Sequence, residues 1–424
     1  MSSYAFSILF LGFLTLTLSL RFWLAARQLR HVRANRAAVP PEFAATISLA
    51  SHQKAADYTT AKTSFALFEL VFSFAVLIGF TLLGGLQSIS MALLAVTGPG
   101  MAHQLALLAA FAVISGLLDL PLSYYRQFVL EQRFGFNKMT LGLWLADMVK
   151  GLALGAAIGV PLVWVVLTLM DKSGALWWLY AWLVWSGFQL LMMVLYPSVI
   201  APLFNKFTPL ADDSLKARIE GLMHRVGFAS KGLFVMDGSK RSAHGNAYFS
   251  GFGANKRIVF FDTLLARLAP GEIEAVLAHE LGHFKLRHII KRIGVIFAVS
   301  LGFLALLGYL KEQVWFYEGL GVEPLLGGTD AMALILFMIA LPVFTFVLSP
   351  LSSISSRRHE FEADAFAATH TDARDLVSAL VKMYDDNAST LTPDPLHSAF
   401  YDSHPPASVR IKQLRSHSPH LAAT

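Results

Sequence analysis

The sequence predicts a mainly α-helical, polytopic membrane protein with about seven transmembrane helices and one polar α+β segment between the fifth and sixth. Three features support that fold class. The chain has 424 residues, of which 55% are hydrophobic and only 15% charged, more apolar surface than a single soluble core can hide. The apolar residues gather into runs long enough for a helix to cross about 30 Å of hydrocarbon. Lys and Arg punctuate those runs and form no patch beside stacking aromatics, so the net charge of +6 suits lipid headgroups and argues against a nucleic-acid partner. The absence of cysteine excludes disulfides, thiolate metal ligands and a cysteine nucleophile together.

The spans are expected to begin near Tyr4, Ser64, Ala102, Val149, Ala175, Ile293 and Ala331. The first run, Tyr4 to Ala26, is longer than a signal-peptide core. It ends in Arg27, Arg30, Arg33 and Arg36 with no small-residue cleavage pattern, so it reads as a retained span. Ser88 to Val96 is apolar but roughly half the spanning length, which suits an interfacial or re-entrant piece. The segments Arg27 to Lys62 and Tyr125 to Lys150 are basic, whereas Gly84 to Gln104 is uncharged and Lys311 to Asp330 is mainly acidic. That bias puts the N-terminus outside. After five spans the polar loop Asn205 to Arg292 is then cytoplasmic, and after seven so is the tail from Arg357. Glu69 and Asp119, inside or near the ends of spans two and three, point to a wet interior. The chain divides into residues 1–204 (five spans with their loops), 205–292 (a polar core), 293–354 (two spans) and 355–424 (the remainder of the polar domain).

Within the polar loop a helix is expected over Ser214 to Val226, then strands around Gly232 to Met236 and Ala247 to Phe252. A turn at Gly253 to Asn255 leads into the strand Arg257 to Phe261. Pro270-Gly271 opens a helix through Glu272, Val276, His279 and His283, continuing toward the sixth span by way of Lys291.

That helix carries His279-Glu280-Leu281-Gly282-His283. Two imidazoles four residues apart leave one helical face a turn apart and can chelate one ion, with Glu280 beside them. Zinc accepts neutral imidazole and carboxylate in tetrahedral geometry, and a catalytic site keeps the fourth position open. A helix whose histidines simply face solvent would show the same five letters, so a third ligand has to be found. Just past the seventh span, Glu360 and Asp364 stand four apart on one face, with Glu362 pointing almost oppositely. Glu360 can reach the metal while Asp364 accepts a hydrogen bond from a liganding imidazole. His359 competes as a ligand but is rotated about 100° from Glu360.

At these residues the chain resembles the type I CAAX prenyl endopeptidases, seven-span membrane zinc proteases, and more distantly their bacterial heat-shock relatives. The matching segments are 131–140 (EQRFGFNKMT), 196–210 (YPSVIAPLFNKFTPL), 244–265 (HGNAYFSGFGANKRIVFFDTLL), His279 to His283, 358–367 (RHEFEADAFA) and 403–410 (SHPPASVR). The resemblance implies helices enclosing a chamber and a zincin-like cytoplasmic α+β metalloprotease domain. It implies one zinc ion on His279, His283 and Glu360, Glu280 as general base, and roles near the substrate for Asn246, His404 and Arg410. Its substrates would be peptides or membrane proteins met at the lipid surface. His359, and a short, plain C-terminus with no ER-retrieval signal, point to a bacterial inner-membrane member.

Asn246-Ala247-Tyr248-Phe249 is expected on an edge strand, where an extended substrate can pair as an added strand. His404, stiffened by Pro405-Pro406, is a candidate oxyanion donor beside the metal. Two other readings compete: a transporter or channel with a structural metal site, and a holdase that grips membrane proteins without cutting them. Neither needs Glu280, and a structural zinc site is normally closed by four ligands.

Overall fold

The computed structural model describes residues 1–250, 257–324 and 329–417. Among the described residues seven helices are long and apolar enough to cross a membrane: Ser3–Ala34, Leu49–Phe80, Met101–Phe134, Leu141–Lys172, Gly174–Phe204, His288–Leu310 and Asp330–His370, here spans 1 to 7. Each holds one of the expected runs. Their large side chains point outward, with Val113, Leu117, Leu152, Val160, Val295 and Val299 all exposed. Surface of that kind is stable against hydrocarbon and not against water. Ser88 to Val96 falls in Gly85–Thr97, a helix of 13 residues that is too short to span.

Span 2 departs from expectation at its start. Its apolar run begins near Ser64, yet the helix begins at Leu49, where the Ser48 hydroxyl accepts the Ser51 N–H at 3.1 Å. The polar first turns are held by Ala55 and Tyr58, which pack with Leu130 and Phe136; hydropathy cannot register a helix that continues beyond the bilayer.

Span 7 packs against spans 1, 3, 4 and 6. Half of its apolar stretch is buried, against 6% in spans 4 and 6. A cavity of about 360 Å³ lies between spans 1, 2, 3 and 7, with Thr17, Arg21, Ser73, Ser115 and Asp119 among its lining residues. Glu69 pairs with Arg126 of span 3. Glu69 therefore has a cationic partner and Asp119 lines a cavity shared with Thr17, Arg21, Ser73 and Ser115, settings that offset the cost of a carboxylate at membrane depth.

The polar domain holds a four-stranded sheet in the order β1-β2-β4-β3. The strands are β1 (Phe207–Pro209), β2 (Leu233–Met236), β3 (Ala247–Ser250) and β4 (Arg257–Phe261). β2 and β4 run parallel and the outer pairs antiparallel. β1 was not signalled by the sequence: it is a three-residue edge strand ending in proline, which edges tolerate. The expected turn at Gly253 to Asn255 lies outside the described residues. Helix Asp213–Arg225 is capped by Asp212, which accepts the Leu215 N–H at 3.0 Å. Its Ile219 and Leu222 share one core with Phe260 of β4, Leu277, Ala367 at the end of span 7, and Leu376 and Leu414 from beyond it. The loop before span 6 and the tail after span 7 thus fold as one body.

Candidate metal centre

The helix Pro270–Lys285 starts with proline at its first position, and the Glu272 carboxylate reaches back to accept the Ala269 N–H at 2.7 Å, half of a capping box. Ile273, Ala275, Leu277, Ala278 and Leu281 are almost wholly buried, so this is the central helix of the polar domain. It lies against the end of span 7 at Gly282, where an added Cβ would come within 3.1 Å of Ala363 Cα and of Phe366 Cβ. The missing side chain is what lets the two helices approach.

This approach brings His279, His283 and Glu360 together, with one ligand atom from each lying within 4.8 Å of the others. The Nε2 atoms of His279 and His283 are 3.3 Å apart, and Glu360 oxygens lie 3.4 Å and 3.3 Å from them. Asp364 Oδ1 stands 2.8 Å from His279 Nδ1, so that nitrogen donates and Nε2 is the atom left to meet a proton or a metal ion. Glu360 Oε2 is buried without a hydrogen bond; the Arg410 guanidinium stands 3.8 Å away, too far to satisfy it, so a cation placed between the three ligand atoms would offset the cost of its burial. Burial lowers the His279 pKa, but the Asp364 and Glu360 carboxylates outweigh it and push it up to about 9. The pocket demands positive charge, which a proton or a metal ion can supply. Two imidazoles and a carboxylate around one point fit a zinc ion.

Glu280, next in sequence to His279, is half-buried and has no hydrogen-bond partner among the described residues. His404 is exposed, and its Nε2 lies 3.4 Å from Glu360 Oε1. Asn246 immediately precedes β3, which is indeed an edge strand and contacts the helix Pro270–Lys285. Ala247 and Phe249 pack toward the core, while Tyr248 meets Met236 and Phe261 on the other side.

Of two further residues, one stands as helical spacing placed it and one does not. His359 turns away from the metal pocket and stacks on His288 at 4.1 Å. Arg410 is not open to the cleft: it is 7% exposed, and its guanidinium grips both Asp364 oxygens at 2.6 and 2.8 Å. It is thus a clamp behind His279. The helix carrying it buries Ile411 and Leu414, but sequence spacing cannot tell which buried carboxylate an arginine will meet.

Comparison with known proteins gives this site a setting. Residues 28–206 match the profile described as CAAX prenyl protease N-terminal, five membrane helices, and residues 209–418 match peptidase family M48. CAAX prenyl protease 1 of Saccharomyces cerevisiae is 37% identical, with 95% of this chain and 94% of that one aligned. The chain belongs to the CAAX prenyl protease family. The Homo sapiens CAAX prenyl protease 1 homolog is 33% identical over 94% of this chain and 93% of its own. The crystal structure of S. mikatae Ste24p superposes with a TM-score of 0.90 at 34% identity, covering 98% of this chain and 100% of that one. This member of the family is a multi-pass membrane metalloendopeptidase, with the family's helical membrane fold.

Proposed function

We propose that the chain holds one zinc ion on His279, His283 and Glu360 and hydrolyses peptide bonds of membrane-associated or lipidated polypeptides on the cytoplasmic side. The convergence of three lone-pair donors on one point, with Glu360 Oε2 buried and without a hydrogen bond, is the observation that carries this reading.

A bound zinc ion supplies a Lewis acid that polarises the scissile carbonyl and acidifies water. Glu280 takes the proton of the attacking water as its oxygen bonds to the carbonyl carbon, then gives that proton to the departing amine as the C–N bond breaks. His404 donates its Nε2–H to the oxyanion. Its Nδ1 lies 2.9 Å from the Ser403 hydroxyl; with that hydroxyl donating, the proton of the ring is on Nε2, and such a donor contributes about 3 kcal/mol to the transition state. The substrate adds as a strand along Ala247 and Tyr248 of β3, with Asn246 at its head. Arg410 acts through Asp364, holding the carboxylate that orients His279.

The names of the relatives support prenylated polypeptides with C-terminal CAAX sequences as the substrate class. The basic segments Arg27 to Lys62 and Tyr125 to Lys150 support a cytoplasmic active site. The expectation of a bacterial inner membrane drew on His359 and the plain C-terminus, whereas the relatives named above are eukaryotic.

The test is purification in detergent with zinc content measured, then cleavage of a fluorogenic prenylated peptide and of an unprenylated membrane-protein fragment. Cleavage lost in Glu280→Ala with one zinc per chain retained supports the reading. Zinc retained with any activity indifferent to Glu280 contradicts it and favours a structural metal in a transporter or holdase.

A further inference from the structure

The two imidazoles of the proposed centre are held from behind in different ways. His279 rests directly on Asp364, whereas among the described residues no carboxylate meets His283 Nδ1. That nitrogen lies 3.0 Å from His288 Nδ1, and His288 Nε2 lies 3.0 Å from Glu362 Oε2. Glu362 Oε1 accepts in turn from Arg358 Nε at 2.9 Å. One assignment of protons satisfies the whole row. Glu362 is an acceptor only, so His288 carries its proton on Nε2 and presents a lone pair at Nδ1. His283 must then donate from Nδ1, which leaves the Nε2 lone pair facing His279 and Glu360.

On an unbroken helix residues five apart point in different directions, about 140° around the axis. Here the helix Pro270–Lys285 stops short of span 6, and Arg287 between them adopts a left-handed backbone with φ of 58°. A non-glycine residue in that conformation is strained by roughly 1–2 kcal/mol. The break swings His288 beneath His283, where it is 4% exposed and covered by the His359 ring at 4.1 Å. Membrane span and metal helix are thereby coupled through one buried imidazole.

We infer that His288 and Glu362 are the positioning residues of His283, fixing its tautomer and ring orientation for metal binding; the inference rests on the zinc reading above. The relay is anchored at the first residue of span 6 and the cytoplasmic end of span 7.

The test is the zinc affinity of full-length protein in detergent, measured by competition with a chromophoric chelator, for wild type, His288→Leu, His288→Gln, Glu362→Gln and the double variant His288→Leu/Glu362→Gln. His288→Leu is expected to weaken zinc binding about 10–100-fold, the usual effect of losing a partner behind a ligand. His288→Gln, whose amide can accept from His283 and donate to Glu362, should stay within about threefold of wild type. Glu362→Gln should weaken binding less than His288→Leu and add nothing in the double variant, since both act through one chain. Glu362 is one-third exposed, so its variant keeps the test open should His288→Leu fail to fold. Unchanged affinity in Glu362→Gln and in a folded His288→Leu overturns the inference while leaving the zinc reading intact. Wild type that takes up no zinc overturns both.

Discussion

The membrane half and the peptidase half of this chain use the same apolar residues in opposite ways. In span 6, Val295, Ile296 and Val299 face outward, and only 6% of the apolar stretch is buried. In the helix Pro270–Lys285, ending three residues earlier, Ile273, Leu277 and Leu281 are almost entirely enclosed. The first arrangement requires lipid as solvent; the second makes its own dry interior. Span 7 belongs to both: half of its apolar stretch is buried, and its polar end delivers Glu360 and Asp364 into the peptidase core. The proposed metal site at that junction is fixed by packing from two solvents at once.

The contrast is testable by substitution, and its largest consequence lies at the clamp. Asp364→Ala removes the two short hydrogen bonds of the buried Arg410 and leaves it only the Glu360 carboxylate at 3.8 Å, and breaking a buried pair of this kind costs about 3–5 kcal/mol; denaturant unfolding in detergent should show a loss of that size together with weakened zinc binding. Next comes a matched pair of truncations. Leu277→Ala in the peptidase core should cost about 2–5 kcal/mol, whereas Val299→Ala on the lipid face should stay within about 0.5 kcal/mol. Equal losses at the two sites would break the comparison. Between spans the sensitive change is enlargement: at Gly308 a Cβ would lie 2.7 Å from the Trp178 ring, so Gly308→Val should destabilise by about 1–3 kcal/mol in a thermal scan.

The smallest effect sharpens the electrostatic side. Without zinc, the raised His279 pKa of about 9 means that its proton stabilises the fold fully below the ordinary histidine value of about 6.5. That contribution fades as pH rises through about 9. Zinc has to displace this proton, so apparent affinity should rise roughly tenfold per pH unit from pH 7 to just below 9, with about one proton released per zinc at pH 7. Calorimetry in buffers of different ionisation enthalpy measures both. A pH-independent affinity would show that His279 is already neutral.

Much of this organisation is legible in the sequence because it depends on local pattern. All seven spans follow from apolar run length, and His279, His283, Glu360 and Asp364 from four-residue spacings on two helices. What escapes depends on tertiary contact. The helical extension from Leu49 to Ser64 is polar and is fixed by packing with Leu130 and Phe136. Arg410 lies 46 residues from the Asp364 it grips. His288 meets His283 only because the backbone breaks at Arg287, where arginine gives no sequence signal for a left-handed residue. Glu362 points away from the metal, as helical spacing says, and finds its partner on a different helix.

The central claim, that His279, His283 and Glu360 hold one zinc at the junction of the two halves, is tested most directly by X-ray absorption at the zinc edge on purified wild type. The account predicts one zinc per chain in a shell of nitrogen and oxygen only, with the outer-ring scattering of two imidazoles, and loss of bound zinc in His279→Ala. A sulfur scatterer from methionine, or zinc that persists unchanged in His279→Ala, would contradict it.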